Sequence, residues 1–254
     1  MQTVTGKNAF ITGASRGIGR GIARMLSDAG YDIAFTYNSQ LNDAETLKTE
    51  IEEKGRRSFF YQASLENPGI AESVTARAAQ ELGGIDLLVC NAGRTKHNDL
   101  LHLEGGLIDF IYHLNYRSYL LCARTAANDM IARGVKGNII FIASTRGFRA
   151  YPEDAVYGGM KAALIRSAES MALDMAPHGI RVNCVAPGAT AVRGSFTHEE
   201  LSQNSFAKII PLGRMGTPDE VGRLVRFIAS EEAAYMTGNT VKLDGGLILP
   251  GIPE

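Results

Sequence analysis

The residues with the clearest capacity for chemistry are a tyrosine and a lysine four positions apart, Tyr157 and Lys161. On a helix, positions i and i+4 share one face, so the phenol and the ammonium would point into the same space. A positive charge beside a phenol favours the phenolate and lowers its pKa from about 10. We therefore predict that Tyr157 exchanges a proton with a bound substrate near neutral pH.

A serine and a glycine-rich loop accompany this pair. Ser144 ends an apolar, strand-like run thirteen residues before Tyr157. Gly13, Gly17 and Gly19 fall between a predicted strand and a predicted helix, at a spacing one residue wider than the usual dinucleotide fingerprint. Such glycines allow a tight turn, backbone approach to a pyrophosphate, and close packing of helix on strand. A dinucleotide loop together with a proton donor predicts hydride transfer to or from a carbonyl.

The elements that must position these residues alternate along the whole chain. Apolar runs typical of strands cover residues 7–11, 32–37, 57–62, 85–90, 137–143, 180–186 and 240–243. Helical patterns cover residues 17–29, 42–54, 68–82, 106–131 and 157–175, and a last helix begins at Thr217. This alternation predicts a mostly parallel sheet with helices on both faces. Because no linker or repeat interrupts it, we predict one doubly wound α/β domain over residues 1–254.

Composition narrows the function classes. The net charge of −1 and a pI near 6.5 argue against a general binder of nucleic acid or membrane surfaces. No uncharged apolar run reaches the roughly 20 residues of a membrane span, and the N-terminus has no signal-like apolar core, so we predict a cytoplasmic location. Cys90, Cys122 and Cys184 lie in apolar stretches and are predicted to be buried free thiols. The five histidines lack zinc-type spacing, and no metal site is predicted.

The motifs resemble those of the short-chain dehydrogenase/reductase family, in its single-domain branch, over essentially the whole chain. The matching segments are Thr12 to Gly19, Asn91-Ala-Gly93, Leu114 to Arg117, Ser144, Tyr157 to Lys161, Pro187-Gly188, Pro211 to Arg214, Thr237-Gly238 and Asp244 to Gly246. The resemblance implies a Rossmann-type domain with a seven-stranded parallel sheet. It also implies a homotetramer or homodimer and a small-molecule carbonyl or alcohol substrate.

The same resemblance assigns residues to roles. It implies that Asn115, Ser144, Tyr157 and Lys161 are catalytic. Ser144 would hydrogen-bond the carbonyl oxygen, Lys161 would hold the nicotinamide ribose, and Asn115 would help a water chain renew the tyrosine proton. The residues expected to bind the dinucleotide are Gly13, Ser15, Arg16, Gly17, Ile18, Gly19, Asn38, Ser64, Leu65, Asn91, Ala92, Gly93, Tyr157, Lys161, Pro187, Gly188 and Thr190.

The choice between NAD and NADP can be argued from charge. The second predicted strand ends in Thr36-Tyr37-Asn38-Ser39, without the acid that holds the ribose hydroxyls in an NAD site. Arg16 lies in the glycine loop, where family members that use NADP often carry a base, and a guanidinium binds phosphate in bidentate fashion. We therefore predict NADP(H) over NAD(H). Two positions depart from the family: Ser64 stands near where an acid often contacts adenine, and Val192 stands where a threonine often holds the carboxamide, with Thr190 the nearest substitute.

The sequence constrains the identity of the substrate less than that of the cofactor. Residues from about 190 to 212 are expected to form a mobile helical lid, and the loop bases Lys96, Arg146 and Arg149 would favour a polar or anionic substrate. The resemblance leaves open a reductase of the 3-oxoacyl-acyl-carrier-protein or carbonyl type and a sugar or polyol dehydrogenase of the glucose type. A non-catalytic protein that senses dinucleotides is the alternative of another class. Retention of the whole catalytic set favours an enzyme.

Overall fold

Seven strands form one parallel sheet in the computed structural model, which describes residues 7–192, 197–249 and 251. The strands are β1 (Asn8–Ile11), β2 (Asp32–Tyr37), β3 (Ser58–Gln62), β4 (Leu87–Cys90), β5 (Asn138–Ile142), β6 (Arg181–Pro187) and β7 (Thr240–Leu243). Their order in the sheet is β3-β2-β1-β4-β5-β6-β7. The predicted parallel sheet and its seven strands are confirmed. Because the order reverses between β1 and β4, a crevice forms at the carboxyl ends of these two strands, where such folds bind ligands.

Helices cover both faces of this sheet. They are α1 (Gly17–Asp28), α2 (Leu41–Glu52), α3 (Ile70–Leu82), α4 (Gly105–Tyr112), α5 (Ser118–Ala132), α6 (Ala155–Met175), α7 (His198–Gln203) and α8 (Pro218–Ala229). Alternate residues of a strand point to opposite faces, so Phe10 joins one core and Ile11 the other. Helices α3, α5 and α6 pack on the Phe10 side, and α1, α2 and α8 on the Ile11 side. Burial on both faces explains why the strands are nearly continuous apolar runs.

The long helix predicted over 106–131 is interrupted. Its middle, His113–Arg117, is a π-helical segment that joins α4 to α5 without a break in helical backbone. A π segment adds a residue to a turn and changes the direction in which nearby side chains point, and such segments are frequent at functional sites. This segment holds Asn115, which the family resemblance implies is catalytic.

The structure also bears on the predictions for the cysteines, the lid and membrane-spanning helices. Cys90, Cys122 and Cys184 are buried free thiols, as predicted. Within the predicted lid, α7 begins with a capping box between Thr197 and Glu200, and a 3₁₀ turn follows at Ser205–Ile209. Residues 193–196 of the lid lie outside the described residues. Of the helices in the described part of the chain, none is long and apolar enough to cross a bilayer.

Candidate active site

A cavity of about 610 Å³ lies at the carboxyl ends of the central strands. It is the place where the sheet order reverses, and it brings together most of the predicted site. The predicted residues that line it are Gly13, Ser15, Arg16, Gly17, Ile18, Asn38, Leu65, Asn91, Ala92, Gly93, Ser144, Tyr157, Lys161, Pro187 and Gly188. Residues far apart in the sequence therefore meet in one crevice, as the parallel topology requires.

Four predicted site residues lie outside the lining. Gly19 packs behind the loop, and Asn115 is fully buried. Ser64 accepts a hydrogen bond of 3.5 Å from the Asn38 side chain. The Thr190 hydroxyl donates to the carbonyl oxygen of Gly188 at 3.3 Å, while Val192 itself lines the cavity. The structure thus presents a methyl-bearing side chain, and not the Thr190 hydroxyl, to the cavity at this edge.

The glycine loop forms a cradle in which side chains would not fit. Gly13 adopts φ +67°, and a Cβ there would lie 2.8 Å from the Cα of Ala92. A Cβ on Gly19 would lie 2.6 Å from Nδ2 of Asn91 and closer still to the carbonyl oxygen of Gly13. Bare backbone at the start of α1 is the arrangement that receives a pyrophosphate. The residues present therefore fit a dinucleotide.

Thr12 organises this cradle, although the sequence reading gave it no separate role. Its hydroxyl oxygen accepts hydrogen bonds from the backbone N–H groups of Asn91 at 2.9 Å and Ala92 at 3.0 Å. The Asn91 side chain in turn donates to the carbonyl oxygens of Thr12 and Gly13 at 3.0 and 2.8 Å. These bonds lock the ends of β1 and β4 together. The threonine stood inside the glycine motif, but only the fold shows what its hydroxyl contacts.

The end of the cavity beside β2 carries an exposed base. Tyr37, Asn38 and Ser39 line the cavity at the end of β2, and none of them is acidic. Arg16 is exposed beside them, and its guanidinium makes no ion pair or hydrogen bond within the described ranges. Glu66 also lines the cavity, two positions after Ser64. The sequence reading passed over this carboxylate because it compared only the residues directly after β3.

Lys161 is held in the interior. It is 3% exposed, and its ammonium donates a hydrogen bond of 2.8 Å to the carbonyl oxygen of Ile142. The same nitrogen lies 5.6 Å from the centre of the Tyr157 ring and 5.0 Å from that of Tyr119. Burial lowers the pKa of Lys161 to about 8. Both members of the i, i+4 pair therefore face one space, as predicted from their spacing.

The electrostatics of Tyr157 differ from the prediction. Desolvation raises the pKa of Tyr157 above its ordinary value, although hydrogen bonds with Thr95 and Ser144 lower it. The predicted lowering of this pKa by Lys161 is therefore wrong for the protein alone, because the loss of hydration outweighs the neighbouring groups that lower the pKa. At neutral pH the phenol keeps its proton. Thr95, which also lines the cavity, was not identified from the sequence.

Ser144 and Asn115 are held by backbone groups. The Ser144 oxygen accepts from the Arg146 N–H at 3.2 Å, at the start of a 3₁₀ turn over Thr145–Gly147. The Asn115 side chain donates to the carbonyl oxygen of Arg94 at 3.1 Å, and its own buried oxygen finds no hydrogen-bond partner among the described residues. The π-helical segment thus ties Asn115 to the loop after β4.

The loop bases are mostly engaged with the protein itself. Arg146 forms an ion pair of 3.0 Å with Asp154. Arg149 donates to the carbonyl oxygen of Leu247 at 3.1 Å, and the Lys96 ammonium lies 4.8 Å from the centre of the Phe110 ring. These contacts weaken the expectation that the bases select an anionic substrate. Across the described ranges, no cluster of three or more His, Cys, Asp or Glu side chains could hold a metal ion.

Comparison with known proteins agrees with this geometry. Residues 13–248 match the family model described as enoyl-(acyl carrier protein) reductase. The 3-oxoacyl-(acyl-carrier-protein) reductase of Staphylococcus aureus is 34% identical over 244 residues, covering 96% of this chain and 98% of the relative. Nodulation protein G of Rhizobium meliloti is 36% identical over 251 residues, covering 98% of this chain and 100% of the relative.

Solved structures give the same result. Acetoin dehydrogenase YohF from Salmonella typhimurium superposes with a TM-score of 0.92 at 31% identity, covering 97% of both chains. A short-chain dehydrogenase/reductase from Serratia marcescens superposes with a TM-score of 0.87 at 29% identity, covering 95% of this chain and 98% of that one. The chain belongs to the short-chain dehydrogenase/reductase family. It is an oxidoreductase that acts on CH–OH and C=O groups with a nicotinamide dinucleotide.

Proposed function

We propose that this chain is an NADP(H)-dependent reductase of a carbonyl group, with Tyr157 as the acid and base. The observation that carries the proposal is the meeting of three side chains, Ser144, Tyr157 and Lys161, in the cavity that the glycine loop also lines. Ser144 and Tyr157 line the same cavity, and Ser144 lowers the pKa of the Tyr157 hydroxyl, which supports a shared role at one oxygen atom.

The residues divide the chemistry among themselves. A nicotinamide dinucleotide held in this cavity would supply the hydride for the carbonyl carbon, or take it from the alcohol carbon. Tyr157 gives its proton to the carbonyl oxygen, and the Ser144 hydroxyl donates a hydrogen bond to the same oxygen as negative charge develops. Lys161 holds the ribose and keeps a positive charge beside the phenol below about pH 8. The raised pKa of Tyr157 keeps its proton in place, which is the form that reduction requires.

Asn115 has a supporting role in this proposal. Its buried side chain holds the loop after β4 through the carbonyl oxygen of Arg94. The proposed water chain that renews the Tyr157 proton would pass beside it. Lid closure by residues from about 190 to 212 would exclude bulk water from the cavity.

The preference for NADP(H) rests on charge. Arg16 offers a guanidinium that makes no ion pair or hydrogen bond with the described residues, and Asn38 and Ser39 offer neutral hydrogen-bonding groups. A 2′-phosphate would meet a base there and no acid at the end of β2. Ser64, Leu65 and the backbone of Asn91 to Gly93 would complete the adenosine site.

For the substrate, we propose a carbonyl of the 3-oxoacyl type or a related ketone. Similarity to the 3-oxoacyl-(acyl-carrier-protein) reductase of Staphylococcus aureus supports this choice, as does the apolar contribution of Phe110, Leu114 and Val192 to the cavity. Assembly as a homotetramer or homodimer and a cytoplasmic location are further parts of the proposal, and they rest on the family resemblance and the composition.

The decisive experiment is NADPH consumption by the purified protein against β-ketoesters, diketones, quinones and keto sugars, with NADH in parallel. Tyr157→Phe should lower turnover by about a thousandfold while NADPH affinity stays within a few fold. Turnover of a β-ketoester that needs NADPH and disappears in Tyr157→Phe is the expected result. Near-normal turnover by the variant would refute the tyrosine assignment, and NADPH binding without turnover of any compound would favour a dinucleotide sensor.

A further inference from the structure

The loop that carries Ser144 packs unusually closely on the helix that carries Tyr157. A Cβ on Gly147 would lie 3.0 Å from the backbone nitrogen of Ala162 in α6. A Cβ on Gly158 would lie 3.0 Å from the carbonyl oxygen of Arg146 and 3.0 Å from the Asp154 carboxylate. Two glycines therefore let the backbone of the 3₁₀ turn approach the backbone of α6.

A buried ion pair joins the same two elements. The guanidinium of Arg146 lies 3.0 Å from the carboxylate of Asp154, whose side chain is 2% exposed. Arg146 also donates its backbone N–H to the Ser144 oxygen. Asp154 stands directly before α6 and three residues before Tyr157. One end of the pair is thus fixed to Ser144 and the other to the helix of Tyr157.

The loop after β4 reaches the same place. His97 approaches the second carboxylate oxygen of Asp154 at 3.8 Å, and Asn98 donates its N–H to the carbonyl oxygen of Glu153 at 3.1 Å. Thr95 lines the same cavity as Tyr157 and lowers the pKa of its hydroxyl. The carboxylate of Asp154 is therefore the point at which three segments meet.

We propose that Arg146 and Asp154 are positioning residues that fix the Ser144 hydroxyl against the Tyr157 hydroxyl and balance the charge beside it. The proposal rests on the proposed function, since it assigns a role only if Ser144 and Tyr157 act together. An ion pair with a buried carboxylate contributes little to stability when compared with apolar residues of similar volume. We therefore assign the pair a role in holding the two segments at a fixed distance.

The charges around Tyr157 give this proposal a distinctive signature. Asp154 raises the pKa of Tyr157, and Arg146 lowers it. The other groups that face this centre are Thr95 and His97 from the loop after β4, Ser144 from the 3₁₀ turn, Tyr119 from α5 and Lys161 from α6. Removing one member of the pair therefore leaves the charge of the other uncompensated beside the phenol.

The test is the pH dependence of alcohol oxidation, whose acid limb follows the loss of the Tyr157 proton. Asp154→Asn should move this limb to lower pH, and Arg146→Met should move it to higher pH, each by about half a unit or more. In the double variant, the acid limb should return close to its wild-type pH, because both charges are gone. The kcat should be lower, because the distance between Ser144 and Tyr157 is no longer fixed. Arg146→Lys keeps the charge and should leave the limb in place.

Arg146 and Arg149 both lie over the Tyr151 ring, with Cζ at 4.6 and 5.8 Å from its centre. Arg149→Met is the matched control, because the Arg149 side chain bonds the Leu247 carbonyl oxygen and forms no ion pair with Asp154. It should leave the profile unchanged. Shifts of the two single variants in the same direction, or no shift in either, would overturn the proposal. Circular dichroism excludes variants that have unfolded.

If the wild type oxidises no tested alcohol, this result counts against the proposed function and leaves the pairing of Arg146 with Asp154 to a second measurement. In that measurement, the tyrosinate absorbance of each variant is compared with that of the same variant carrying Tyr157→Phe. This titration is run over the pH range in which the fold persists. The same opposite shifts are expected there, and their absence would overturn the pairing without any substrate.

Discussion

The two ends of the cavity are built from different parts of the chain. At the dinucleotide end, the glycine loop and the Asn91 to Gly93 segment present backbone, and their close approach leaves no room for a Cβ on Gly13 or Gly19. At the reacting end, side chains converge from two elements, with Ser144 after β5, and Tyr157 and Lys161 on α6.

The difference shows how each end acquires its chemistry. A site made of backbone groups needs a helix N-terminus and positions without side chains. Such a site can bind its ligand in the presence of water, and it leaves the surrounding fold regular. A side-chain site needs desolvation, which raises the pKa of Tyr157 and lowers that of Lys161. Substitutions should therefore affect binding at the first end and rate at the second.

Lys161→Met should show the largest effect and separate activity from stability. We expect turnover to fall at least about a hundredfold because the ribose contact and the charge beside the phenol are lost. The pKa of about 8 in the folded protein lies below the ordinary lysine value of 10.5, so the buried ammonium costs stability below pH 8, and this cost fades between pH 8 and 10.5.

Urea unfolding should accordingly find Lys161→Met more stable than the wild type at pH 7, by on the order of 2 kcal/mol. The difference should shrink as pH rises to 10, because the cost of burying the wild-type ammonium fades over that range. Loss of the hydrogen bond to Ile142 reduces the difference by a similar amount at every pH. A variant that is less stable at pH 7, or whose advantage grows with pH, would contradict the buried charge.

Gly19→Ala should disable the backbone end. Its Cβ would meet Asn91 and the carbonyl oxygen of Gly13, both of which are fixed by hydrogen bonds. We expect a loss of about 2 to 3 kcal/mol in unfolding free energy together with loss of NADPH binding by fluorescence titration. The control is Gly159→Ala in α6, where nothing lies within 4 Å of the added Cβ. That change should stabilise the helix by up to about 1 kcal/mol.

Arg16→Ala tests the charge at the dinucleotide end. The dissociation constant for NADPH should rise about tenfold or more, because a charge-assisted contact is lost. The constant for NADH should barely change. Arg24→Ala, which removes an exposed base of α1 that lies 3.9 Å from Glu50, should weaken neither dinucleotide. Equal weakening of NADPH and NADH by Arg16→Ala would remove the phosphate role.

Val192→Thr should produce the smallest effect, and it tests which side chain contacts the carboxamide where the two ends of the cavity meet. The side chain keeps its shape and gains a hydroxyl that can reach a carboxamide, so NADPH should bind a few fold more tightly. Thr190→Val is the counterpart, and it should leave affinity unchanged because the Thr190 hydroxyl already bonds Gly188. A loss of affinity in Thr190→Val would return the carboxamide contact to Thr190.

Much of the fold followed from local patterns. The bounds of each predicted strand agree with those of an observed strand to within two residues. The agreement arises because apolar runs between turn signals identify buried parallel strands. The long helix over 106–131 was predicted as continuous, and its π-helical turn at Asn115 was missed. Hydrophobic periodicity cannot distinguish a helix with one extra residue in a turn from a regular one.

The site could be predicted where residue type and spacing carry the information. The spacing of Tyr157 and Lys161 places both on one helical face, and the glycines identify the loop. Thr12 and Thr95 were missed, since each acts on a segment distant in the sequence. Glu66 was missed because only the fold shows that it lines the cavity. Arg146 was interpreted as a base for substrate because its partner Asp154 is a neighbour only in the folded chain.

By itself, the sequence determined the class of fold, and it supplied the dinucleotide loop and the side chains that we propose react, because these depend on period, spacing and residue type. The tertiary structure decided the sign of the pKa shift at Tyr157, the depth at which Lys161 lies, and the pairing of Arg146 with Asp154. These properties depend on which groups lose water and which charges become neighbours. Both are fixed only when distant segments pack together.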